Sequence, residues 1–210
     1  MIENYNDLSI GKYLEIHKVA KEEMDDIDKQ VAMIAILADM TEDEVLNIPI
    51  LDYKAMAEKA RFLEKPIDVP KKIATSYKIE GFELVPTMDI RKLTTAQYID
   101  FQTFSKDGED RLVEVLSCFL IPKGKRYNED YDITEVHKAI REHLAIPHCL
   151  ALSGFFLTKF VSLMRGMLIF SKMTTRLTMK RGKEKKEMLK RIEDLMENLP
   201  NGNGLVALMQ

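Results

Sequence analysis

The chain has no tryptophan, only two cysteines, and no uncharged apolar run long enough to be read as a membrane span. Each shortage excludes something. Cys118 and Cys149 stand far apart and outside any Cys-x-x-Cys pair, which argues against a disulfide scaffold and fits a reducing compartment. The start, MIENYNDLSIGKYLEI, lacks a basic region followed by an apolar core, so no secretory leader is expected and synthesis is placed in the cytoplasm. Neither GxxxxGK[ST] nor GxGxxG occurs, and the basic loop Pro122 to Arg126 has one glycine and no strand expected to lead into it. His17, His137, His143 and His148 miss the His-Glu-x-x-His spacing that sets two imidazoles on one helical face. The nearest constellation, His143 with His148 and Cys149, reads as a helix-boundary turn rather than a metal or nucleophile site. The acidic group Glu22, Glu23, Asp25, Asp26 and Asp28 lacks the glycine and distal glutamate of a calcium loop. No catalytic, cofactor-binding or metal-ligating residue is assigned, no cofactor is expected, and the chain is not read as an enzyme.

What the chain does have is helical periodicity. Residues 146–177 are its most apolar stretch, with Pro147 suited to a helix start. Thr158, Ser162, Arg165, Lys172 and Arg176 draw one narrow polar stripe, and phenylalanine, leucine, isoleucine, valine and methionine cover nearly all the rest. A helix apolar over most of its circumference needs a large core, a membrane or copies of itself. Lys159 and Arg165 interrupt the run short of about 18 uncharged residues, so the expectation is a buried central helix over 147–177, with no membrane partner.

Around it the spacing predicts helices over 8–38, with a break, and over 52–64, 95–106, 109–121, 132–144 and 181–200. Thr41-Glu42-Asp43-Glu44 is a capping box, and Asp132 with Glu135 resembles another. Residues 74–79 and 82–86 flank a Glu80-Gly81 turn and read as a hairpin, which must pack on helices because a lone hairpin is marginal. The expected fold is therefore mainly α, a multi-helix bundle with one small β-hairpin at about 74–86. Pro66 and Pro70 suggest a linker. The expected regions are an N-terminal helical region 1–66, a hairpin and helical core 71–180, a basic helix 181–200 and a flexible tail 201–210.

Two features point to binding. Residues 1–50 carry twelve Asp/Glu against four Lys/Arg, while 172–191 carry nine Lys/Arg against two Glu, an asymmetry that suits self-assembly or an acidic partner. Nucleic acid is a weaker reading of the basic run, since no aromatic side chain is interleaved there for base stacking. The thirteen methionines are read first as core filling, though such side chains also line adaptable partner surfaces. If the central helix also binds a partner, the candidate contacts are Phe155, Phe156, Phe160, Met164 and Met167. The tail with Leu205, Val206 and Leu208 is read first as disordered and otherwise as a tethered apolar plug for a groove on a partner or a neighbouring copy.

Residues 33–65, MIAILADMTEDEVLNIPILDYKAMAEKARFLEK, carry an apolar helix, the capped Thr41-Glu42-Asp43-Glu44 turn, Leu51-Asp52-Tyr53 and a closing Phe62-Leu63. This segment resembles the core of phage tail assembly chaperones. The later stretch from KLTTAQYIDF to the Phe155-Phe156 helix looks like small morphogenesis or virion proteins of Bacteroidetes-infecting phages. The resemblance implies binding without catalysis, the partners being phage structural proteins such as a tape-measure, tail or portal-region protein, and a homo-oligomer is compatible with it. It places the protein in the host cytoplasm during assembly. The alternatives are a packaged virion component, as internal cargo or a tail or portal-associated protein, and a nucleic-acid-binding regulator.

Overall fold

The computed structural model describes residues 1–106, 111–179 and 182–197. It is mainly helical with a small antiparallel sheet, and the chain divides into two compact units, Met1–Leu152 and Ser153–Gln210. The Pro66 to Pro70 stretch read as a linker lies inside the first unit.

Local chemistry explains the helix starts in the first unit. Ser9 caps α1 (Ile10–Lys21), its hydroxyl accepting from the Lys12 N–H. Then α2 (Asp26–Ala38) ends at Asp39, which takes the left-handed conformation at φ 55° and pairs its carboxylate with Lys12 at 2.6 Å. The capping box is present at α3 (Glu42–Leu46): the Thr41 N–H donates to Glu44 Oε2 at 2.7 Å, and the Glu44 N–H to Thr41 Oγ1 at 3.2 Å. Next, α4 (Ile50–Ala60) begins after Pro49 and runs into a 3-10 turn at Arg61–Glu64. A second capping box, Thr94 with Gln97, starts α5 (Thr95–Phe104). Then come α6 (Leu112–Ser117) and α7 (Ile133–His143), the latter capped by Asp132 accepting from the Thr134 N–H.

The expected hairpin forms as β1 (Tyr77–Ile79) and β2 (Phe82–Pro86), turning on Gly81 at φ 75°, which favours a residue without Cβ. A third strand, β3 (Leu120–Pro122), pairs antiparallel with β2 and places Ile121 opposite Val85. This corrects the helix expected to run to residue 121. The helix stops at Ser117 because the next residues satisfy backbone groups of β2 instead, with the Thr87 N–H donating to the Phe119 carbonyl and the Lys123 N–H to Glu83. Pro122 sits at an outer strand, where its missing N–H is tolerated.

The core of this unit gathers where the chain's start meets the junction of α7 with α8 (Ile146–Thr178). The Ile10 N–H donates to the Leu144 carbonyl and the Ile146 N–H to Leu8, both at 2.9 Å. Leu8, Ile10, Ile140, Ile146 and Leu152 have no exposed surface. There α1 crosses α7 so closely that a Cβ on Gly11 would lie 2.7 Å from the Arg141 carbonyl oxygen, a contact only glycine allows. A second apolar cluster joins Val31, Ile34 and Ala35 of α2 to Val45, Tyr53 and Met56.

In the second unit, the remainder of α8 pairs with α9 (Lys183–Glu197). Lys172 bonds Glu193 at 2.7 Å, and Lys185 Nζ donates to the carbonyls of Arg176 and Met179, supplying partners for the end of α8. Thr175 and Ile192 are buried.

Candidate functional site

Three places in the described residues could carry a function, and two of them resolve into structure. The first is a pair of polar clusters around α6. Ser117 Oγ lies 2.8 Å from His137 Nε2, the distance of a nucleophile and its base. The Ser117 hydroxyl also lies 2.7 Å from the Glu114 carbonyl, so its one proton is shared between two acceptors rather than dedicated to His137. Ser117 is also almost fully buried. Beside it, Tyr127 donates to Asp100 at 2.9 Å, and the Cys118 thiol donates to the Glu114 carbonyl. Burial pushes that thiol up to about 12, which keeps it protonated and unreactive at neutral pH. Both clusters tie α5, α6 and α7 together.

Burial also holds the His137 pKa below its ordinary 6.5, with the nearby Glu114 carboxylate opposing the shift. The unfolded chain then binds a proton that the folded chain resists, so stability falls as pH drops through the ordinary histidine value. The depressed carboxylates, such as Asp132 held by the Thr134 N–H, act only at lower pH, below their own ordinary values. Acidification from about pH 7 to about pH 5 is expected to lower the melting temperature. His137→Gln, which can still donate to Ser117, is expected to flatten that slope. An unchanged slope on calorimetry would remove His137 from the account.

The second place is a shallow cleft of about 360 Å³ between the hairpin and the α7–α8 junction, lined among others by Ser76, Tyr77, Lys78, His143 and His148. It contains two members of the His143, His148 and Cys149 constellation, yet the three do not converge on one point. His143 Nε2 is engaged with Glu80 at 2.8 Å, the His148 ring packs on Tyr77 edge to face, and Cys149 is buried with its sulfur toward the Leu144 carbonyl. Among the described residues, no group of three or more His, Cys, Asp or Glu side chains is placed to hold a metal ion.

The third place is the outer face of α8, which corrects the expectation of a buried central helix. Met167, Ile169, Phe170, Met173 and Leu177 are 58%, 49%, 71%, 56% and 82% exposed. Leu163, Gly166, Phe170, Met173 and Leu177 recur at intervals of three and four, so they line one stripe of a helix with about 3.6 residues per turn. This is the spacing of a helix–helix seam. Val161 and Thr175, fourteen residues apart and so nearly in line along the helix, are buried on another side. The helix holds four cations, Lys159, Arg165, Lys172 and Arg176, and no carboxylate. The helix is also long and apolar enough to cross a membrane by length and composition, with a mean hydropathy of 1.4 over an 18-residue window of which 33% is buried.

Of the partner contacts expected from sequence, Met167 lies openly on this face. Phe156 is buried, and Phe155, Phe160 and Met164 are half-buried. Phe155 packs edge to face on Phe156, with the Lys159 ammonium 5.4 Å from its ring centre. Leu205, Val206 and Leu208 lie outside the described residues. The most exposed members, Phe170 and Leu177, were missed; the absence of any carboxylate beside a three-and-four apolar spacing is the signal that could have found them. No family model matches the chain, and neither a curated protein nor a solved structure matches it.

Proposed function

We propose that the chain is a non-enzymatic bacteriophage assembly protein that binds other phage structural proteins, in the manner of a tail assembly chaperone. The observation that carries the binding role is the exposed apolar stripe of α8. Each such side chain gains about 1.5–3 kcal/mol on full burial, so a helical client laid along the stripe would be held by packing without any chemistry. The likeness of residues 33–65 to tail chaperones supplies the class of client, an aggregation-prone helical protein such as a tape measure. Quantitative mass spectrometry of purified particles beside the infected-cell lysate tests this reading. Abundance in the lysate with absence from particles is expected. A fixed copy number in the particle would replace the chaperone with a packaged component, and the lack of any particle-forming context would overturn both.

The exposure and hydropathy of α8 favour a second reading, insertion into a lipid bilayer. Flotation with phosphatidylcholine vesicles separates the two: a chaperone stays with the soluble fraction, whereas an inserted helix floats.

A further inference from the structure

The path of α9 decides where the end of the chain is delivered. Lys185 Nζ meets the carbonyls of Arg176 and Met179, and Glu193, further along α9, meets Lys172, so α9 runs back along α8. At about 1.5 Å per residue, Glu197 lies about 6 Å beyond Glu193, level with the part of α8 that exposes Met167 and Phe170. After it come Asn198-Leu199-Pro200-Asn201-Gly202-Asn203-Gly204 and then Leu205-Val206-Ala207-Leu208-Met209-Gln210, all outside the described residues and without one charged side chain. The stripe defined by Leu163, Gly166, Phe170, Met173 and Leu177 is uncharged too. At about 100° per residue, Arg165, Lys172 and Arg176 stand more than about 100° round the helix from Phe170. Lys159 lies one turn before the stripe, over the Phe155 ring.

We infer that Leu205 to Met209 lie on the α8 stripe of their own chain and cover it until a client displaces them. This rests on reading the stripe as a protein-binding surface, and it names what covers that surface in the free protein. The reach is sufficient. Between Glu197 and Leu205 a glycine-rich chain spans about 15 Å root-mean-square, against a helix thickness of about 10–12 Å, so the apolar segment passes round the flank of α8. The tether also makes a weak contact enough, because a short flexible link holds its ends at an effective concentration of about millimolar. Apolar burial drives the contact, and an uncharged segment on an uncharged stripe desolvates no ion. The cover is incomplete by length. From Leu163 to Leu177 the stripe runs about 21 Å, while five extended residues reach at most about 17 Å. A client helix lying along the whole stripe buries more of it and displaces the segment.

Nile red, an uncharged dye that fluoresces on apolar surfaces, tests this with the full chain. Leu205→Asp combined with Leu208→Asp keeps the length of the tail and removes its apolar character. This pair is expected to raise dye fluorescence severalfold over the wild type, as is deletion of residues 201–210. Adding Phe170→Asp to either is expected to abolish the rise; Phe170 is exposed, so circular dichroism should be unchanged. The rise is expected at every chain concentration, because the contact is within one molecule. A rise confined to concentrated samples would mean that a neighbouring copy's tail covers the stripe, and would overturn the inference. A rise that survives Phe170→Asp would place the tail elsewhere, with the same consequence. Strong, Phe170-dependent fluorescence of the wild type that the tail substitutions leave unchanged would overturn the cover and leave the reading of the stripe intact. Weak fluorescence in every variant would overturn both.

Discussion

Phe119→Ala is expected to lower the stability of the first unit by about 3–5 kcal/mol, enough to shift its melting temperature by roughly 10 °C or more. Phe119 is 2% exposed and sits between α6 and β3, where its ring meets Phe101 edge to face at 5.2 Å. Its carbonyl also takes the Thr87 N–H, so the residue joins helix, sheet and hairpin exit at one point. Truncation would remove the ring from packed surroundings that include fully buried Leu120, and a cavity would remain to the extent that they cannot collapse. Phe119→Leu keeps most of the volume and should cost clearly less. Thermal unfolding followed by far-ultraviolet circular dichroism checks the pair. Equal losses for both variants would mean that the aromatic contact matters and the cavity does not.

Most element boundaries were legible because they rest on short-range chemistry. Thr41 with Glu44, Asp132 with the backbone at Thr134, and the glycine in the Glu80-Gly81 turn each fix a start or a reversal within a few residues. The span of α8 was legible from its periodicity, since apolar residues recur at helical spacing from Ile146 to Leu177 with Pro147 at its start. Strand β3 was not. Phe119 to Ile121 is a brief apolar run after a helix, and such a run reads equally as the helix's last turn until the distant Phe82–Pro86 edge is known to need a partner.

Burial was less legible than secondary structure. On α5, the apolar Tyr98 and Ile99 are 42% and 55% exposed, while the polar Gln97 is buried. Periodicity cannot see a long-range hydrogen bond that draws a polar side chain inward. On α8, an apolar circumference said that the helix needs covering but not by what. The hydrophobic effect is non-directional, so a core, a bilayer and a second protein leave the same mark on the sequence.

Gln97 gives the sharpest test of the buried polar chemistry, through Gln97→Leu. Its Nε2 donates to the Cys118 carbonyl at 2.8 Å, while its Oε1 accepts from the Thr94 N–H at 2.9 Å. One amide thus caps α5 and ties it to the end of α6. Leucine nearly matches the volume but leaves the Cys118 carbonyl and the Thr94 N–H without these partners, and a buried polar group left unpaired costs about 1–3 kcal/mol. The expected loss is roughly 3 kcal/mol, together with faster opening of α6. Cys118 reports that opening, because its thiol has no exposed surface in the folded protein. Labelling by a thiol reagent under native conditions should therefore accelerate in Gln97→Leu. Cys149 provides the internal comparison: it is equally buried but belongs to α8, away from Gln97 in sequence. Labelling of both cysteines at the same raised rate would mean that the substitution loosens the whole unit. Selective labelling of Cys118 would mean that the amide acts as a local clasp between α5 and α6.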